Sequence, residues 1–117
     1  MKRQRDSLTG ALAPTALLLA LALAAPAPAA AGDAEAGRTK AQACAVCHGA
    51  LGISTTPDAP HLAGQPAHYI ATQLRAYRSG GRKHEVMAVM AKPLSDDDIA
   101  NLAAWFAAIR IEASAPR

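Results

Sequence analysis

The chain has 117 residues, room for one small domain and no more. Its formal charge is +3, from 12 basic and 9 acidic residues. Lys2, Arg3, Arg5 and Asp6 supply +2 of that charge at the amino terminus, so the remainder carries about +1, too little for the basic surface of a nucleic-acid binder.

Those amino-terminal charges precede an apolar run from about Ala11 to Ala25, then a Pro/Ala stretch from Pro26 to Ala31 with small residues at Ala29 and Ala31. This order of regions predicts a secretory signal peptide over residues 1–31, cleaved after Ala30 or Ala31, and one domain over residues 32–117. A retained anchor helix is the competing reading. The strongly apolar part, Ala16 to Ala25, is shorter than the ~20 residues a spanning helix needs, and Pro14 and Pro26 bracket it. Neither cysteine lies near the cleavage point, which leaves a lipid-anchored terminus without support.

Asp33 is placed to cap a first helix, with Glu35 in its first turn, running to about Ala43. Residues 49–64 read as loop, with Gly52, Pro57 and Pro60. Pro66 suits the first position of a second helix, which carries Ile70, Leu74 and Tyr77 on one face and stops at Gly80-Gly81. A loop bearing Met87 and Met90 is expected next. Ser95-Asp96-Asp97-Asp98 then opens a last helix, with Ser95 as cap and Ile99, Leu102, Ala103, Phe106 and Ile109 as its apolar stripe. No alternating segment argues for strands, so the fold class is all-α, and residues 113–117 read as a frayed tail. Beyond the leader there are 14 large aliphatic and Phe residues, a sparse core that a large apolar prosthetic group would complete.

Cys44-Ala45-Val46-Cys47-His48 supplies such a group. Cysteines at this spacing can each form a thioether to a haem vinyl group, and the following histidine can ligand the iron. Three other readings compete. A thioredoxin-like dithiol needs a βαβ surrounding that this pattern lacks. A structural disulfide would close a very small loop and stabilise little. A zinc site would recruit His61 or His68, but zinc sites usually show a second paired cluster.

With these residues in view, the chain resembles the class I cytochrome c family, in its small bacterial periplasmic branch that includes cytochrome c553 and each half of dihaem cytochrome c4. The resemblance runs from about Gly32 to Ile109. It rests on Gly32-Asp33-Ala34-Glu35-Ala36-Gly37, the Cys44–Gly49 motif, Pro60-His61-Leu62-Ala63-Gly64-Gln65, Tyr69, Gln73-Leu74, Gly81-Arg82, Met87, Leu94–Ile99 and Ala103-Ala104-Trp105-Phe106. It implies about three to four helices wrapped around one covalent haem c, attached through Cys44 and Cys47 and ligated by His48 and Met87. Met90 is the alternative sixth ligand, and His84 would give bis-histidine ligation. The resemblance also implies that the Pro60 carbonyl accepts a hydrogen bond from His48, and that Gly37 and Trp105 meet where the first and last helices cross. Relatives commonly have Tyr where this chain has Trp105, whose indole N–H needs a partner or solvent. Arg75, Arg78, Arg82 and Lys83 are either a solvated helix face or a site for haem propionates or an acidic partner. Tyr69 and Gln73 either touch a propionate or pack. The implied function is outer-sphere electron transfer in the periplasm, not enzymatic catalysis, between redox proteins such as a terminal oxidase, a quinol-cytochrome c reductase or a dehydrogenase. The alternatives are a haem subunit dedicated to one such enzyme and a gas-binding or peroxidatic haem protein. Glu85, beside Met87, is a weak candidate for acid–base work.

Overall fold

The computed structural model describes residues 31–117. The leader expected over residues 1–31 lies outside the described residues but for Ala31. Among those described, all regular structure is helical: α1 Ala34–Lys40, α2 Ala45–His48, α3 Ala67–Ser79, α4 Glu85–Ala91 and α5 Asp96–Ala108. A 3-10 turn, Ala41–Cys44, joins α1 to α2, so the chain stays helical through the cysteine motif instead of stopping before it.

Local chemistry sets most boundaries. The Asp33 carboxylate accepts from the Glu35 and Ala36 N–H groups at 2.8 and 3.2 Å, satisfying donors that α1 cannot pair internally. Ser95 and Asp98 form a reciprocal capping box on α5. Gly80, at φ +82°, ends α3 in the left-handed conformation a glycine adopts without steric cost. Pro66 is the cap residue of α3, one position earlier than expected, and Ala67 begins the helix.

The core lies between α3 and α5. Ile70 and Ala71 pack with Ile99, Leu102, Ala103 and Phe106, and Ala41 closes the cluster from the 3-10 turn. α5 packs on both α1 and α3, and α4 packs on α3. The crossing of α1 with α5 is close because Gly37 has no side chain. A Cβ there would overlap the Asn101 carbonyl and come within 2.9 Å of Trp105 Cβ. Asn101 Oδ1 also accepts from the Asp33 N–H at 2.7 Å, tying the start of α1 to α5. The Trp105 indole N–H is buried at this crossing without a hydrogen-bond partner, and Arg38 lies 6.0 Å from the ring centroid. The expectation of a partner or solvent for that N–H is not met.

Among the described residues, five of the nine buried hydrophobic residues are alanines, whereas Val46, Leu51, Ile53, Val86, Val89 and Met90 are all exposed. This distribution fits a domain whose apolar interior is completed by a prosthetic group.

Candidate functional site

Cys44 closes the 3-10 turn, and Cys47 and His48 end α2. Side chains three and four residues apart lie on one face of a helical path, so this spacing brings both thiols and the imidazole together. The cysteines are not bonded to each other; Cys44 is half-buried and Cys47 exposed. Burial pushes the Cys44 thiol up from its ordinary value. Gly49, at φ +80°, turns the chain away directly after His48.

His48 is buried, and its Nδ1 lies 2.9 Å from the Pro60 carbonyl oxygen. A carbonyl accepts and never donates, so Nδ1 carries a proton, and in the neutral ring Nε2 keeps its lone pair. That is the tautomer and orientation a metal-ligating imidazole requires. The two free thiols and this ring fit the covalent attachment and axial ligation of one haem.

The segment between α2 and α3 holds the Pro60 carbonyl in place. Its base is closed by the Leu62 and Ala63 N–H groups donating to the Gly52 carbonyl at 2.7 and 3.1 Å. The hydroxyls of Ser54 and Thr56 both donate to the Cys47 carbonyl, at 3.0 and 3.1 Å. His61 Nδ1 accepts from the Ser54 N–H at 2.9 Å. Sequence reasoning missed Ser54, Thr56 and this use of His61; the run of hydroxyl residues between the motif and Pro60 was the available signal.

Met87 and Met90 are on a helix, α4, not in the expected loop. His84 Nδ1 accepts from the Met87 N–H at 3.3 Å and caps α4. His84 thus serves the helix that carries Met87. Met87 is half-buried, and Met90 is 37% exposed.

The basic cluster divides. Arg78 donates to the Leu94 carbonyl at 2.9 Å and to Asp96 at 2.6 Å, joining the end of α3 to the start of α5. Arg82 donates to Gln73 Oε1 at 2.6 Å and lies over the Tyr77 ring at 4.7 Å. Arg78, Arg82 and Gln73 are therefore engaged within the domain, while Tyr69 is exposed. Among the described residues, no group of three or more His, Cys, Asp or Glu side chains is gathered for a metal ion, so the zinc reading finds no second set of ligands. No strand among them builds the βαβ frame of a dithiol enzyme.

The family model for cytochrome c matches residues 34–109, from the start of α1 to the end of α5. The chain belongs to the cytochrome c family. It is 44% identical over 76 residues to cytochrome c-554(548) of Halomonas halodenitrificans, covering 62% of this chain and 92% of that one. It is 45% identical over 74 residues to cytochrome c4 of Pseudomonas aeruginosa, covering 63% of this chain but 37% of that protein. The crystal structure of reduced cytochrome c4 from Pseudomonas stutzeri aligns with a TM-score of 0.66 at 42% identity, over 68% of this chain and 47% of that chain. The chain thus spans nearly all of a small cytochrome and less than half of the longer c4 proteins. It is an electron-transfer haem protein of the class I all-α fold, with covalent haem c as cofactor and Cys44, Cys47 and His48 fitting the family's attachment motif. No helix among the described residues is long and apolar enough to cross a membrane.

Proposed function

We propose that this chain is a periplasmic electron carrier whose single haem is bonded through Cys44 and Cys47 and held between His48 and Met87. The haem supplies a one-electron Fe(II)/Fe(III) couple. The observation that carries the reading is the buried His48 ring, fixed by the Pro60 carbonyl with Nε2 left free. A histidine so oriented is placed to ligate the iron, and a hydrogen bond to its far nitrogen raises its basicity.

Met87, eight residues before the Ser95 that opens α5, would be the second residue to hold the iron. Its helix is anchored at the amino end by His84 and laid against α3, which restricts where its sulfur can go. A soft thioether favours the ferrous state, and methionine–histidine ligation raises the potential relative to harder donors. With His48 and Met87 both holding the iron, the haem would exchange electrons without bonding a substrate, and the protein would not act as an enzyme. Its partners are redox proteins, among them oxidases, quinol-cytochrome c reductases and dehydrogenases, met through small transient interfaces under ~1,200 Å². A leader over residues 1–31 directs export, after which the domain over residues 32–117 acts in the periplasm.

The test is a pair of variants in the purified haem protein. Met87→Ala should convert a low-spin spectrum to a high-spin one and admit carbon monoxide, while Met90→Ala should keep the native spectrum. The reverse pattern would assign the ligand to Met90. Gas binding by the unaltered protein would support a gas-binding or peroxidatic role instead.

A further inference from the structure

We propose that His61 is a positioning residue for the axial histidine, and that its imidazole sets the reduction potential by holding the Pro60 carbonyl against His48. The inference rests on the assignment of His48 as an iron ligand and names the group that tunes it.

The contacts form a closed frame. His48 is covalently next to Cys47. The Cys47 carbonyl accepts from the Ser54 hydroxyl at 3.0 Å. The Ser54 N–H donates to His61 Nδ1 at 2.9 Å. His61 is covalently next to Pro60, and the Pro60 carbonyl accepts from His48 Nδ1 at 2.9 Å. Three hydrogen bonds and two covalent links return to the starting residue. Thr56 braces the frame, because its hydroxyl reaches the same Cys47 carbonyl at 3.1 Å and its N–H donates to Ser54 Oγ at 3.1 Å.

The direction of the Pro60 carbonyl is the variable this frame controls. The peptide between Pro60 and His61 is planar, so its oxygen can rotate only if the His61 backbone rotates with it. Two rotations orient that plane, about the Cα–C bond of Pro60 on one side and the N–Cα bond of His61 on the other. On the second side the His61 ring is pinned to Ser54. With the ring released, the plane loses one restraint while the Leu62 and Ala63 bonds to the Gly52 carbonyl remain, and the bond to His48 Nδ1 weakens. A weaker bond makes His48 a poorer donor, which disfavours Fe(III). His61 is exposed, so burial does not hold its ring in place. The hydrogen bond to Ser54 does, and it requires Nδ1 unprotonated with the proton on Nε2.

The experiment uses the haem-loaded full-length protein. His61→Ala should shift the Fe(II)/Fe(III) equilibrium against a fixed-potential mediator about three- to tenfold toward Fe(II), tenfold being about 59 mV for a one-electron couple. The same variant should speed solvent exchange of the His48 Nδ1 proton, followed by NMR of the reduced state. His61→Asn, whose amide oxygen can accept from the Ser54 N–H, should restore both values. An unchanged potential and exchange rate in His61→Ala, with haem content equal to native, would overturn the proposal. So would a His61→Asn variant that behaves like His61→Ala. Failure of the underlying reading is distinct: His48→Ala would then retain the native low-spin spectrum.

Discussion

Replacing Gly37 by alanine sets two physical effects against each other. Gly37 lies inside α1, and on helix propensity alone the change should stabilise the domain by ~1 kcal/mol. The packing says the opposite. The added Cβ would overlap the Asn101 carbonyl group, and Trp105 Cβ would stand 2.9 Å away. These are backbone and near-backbone atoms on α5, so no flexible side chain can swing aside. The helices must separate, disturbing the contact between Asp33 N–H and Asn101 Oδ1 and the packing of Trp105. Overpacking of this kind costs ~1–3 kcal/mol and sometimes more. The upper part of that range survives the propensity gain, leaving a net loss of about 2 kcal/mol. In a domain of this size that lowers Tm by roughly 8–16 °C. Thermal unfolding of the haem protein, followed by far-ultraviolet circular dichroism, measures it. Gly81→Ala is the control, since its Cβ would meet nothing nearer than 3.5 Å and its φ is not positive. A Gly37→Ala protein melting at or above the native temperature would refute the close crossing of α1 and α5.

Other outcomes follow from the same contacts. Asp98 bonds Ser95 and Lys40, and Asp96 bonds Arg78; both carboxyls are held below their ordinary value of 3.8, chiefly by the hydrogen bonds to Lys40 and Arg78. A folded pKa below the unfolded one stabilises fully above that ordinary value and is lost as pH falls through it and below. Thermal melts from about pH 6 to about pH 3 should therefore show an acid loss that Asp98→Asn makes smaller; an unchanged acid profile in that variant would contradict the assignment. Ser95→Ala, which removes the other half of the capping box, should cost ~1 kcal/mol in urea unfolding. A Cys44→Ala, Cys47→Ala protein made without haem should be largely disordered by hydrogen exchange, because the four large buried hydrophobics among the described residues, Ile70, Ile99, Leu102 and Phe106, are too few to offset chain entropy. A compact, cooperative apoprotein would contradict that.

The parts of the fold that were legible are those set by local chemistry. Asp33, Ser95 with Asp98, and Gly80 announce helix ends because a cap needs its residue type in place whatever the tertiary surroundings. α4 was not legible. Its cap is His84, outside the usual Ser, Thr, Asp and Asn set, and its seven residues are held by packing on α3 rather than by a strong period of their own. In the candidate site, Cys44, Cys47 and His48 declared themselves through spacing. The contact of Pro60 with His48 came through family resemblance, since nothing local in Pro60 marks it as an acceptor. The clasp of His61 on Ser54 needs the loop folded before the two residues meet, and spacing alone could not have placed it. The unsatisfied Trp105 N–H likewise depends on how tightly α1 and α5 close.

The proposed closed haem site, with His48 and Met87 both on the iron, would exchange electrons and bind no substrate. Mixing the reduced native protein rapidly with carbon monoxide tests it most directly. An unchanged low-spin spectrum is expected over the time in which Met87→Ala binds the gas completely. Rapid formation of a carbon monoxide complex by the native protein would contradict it.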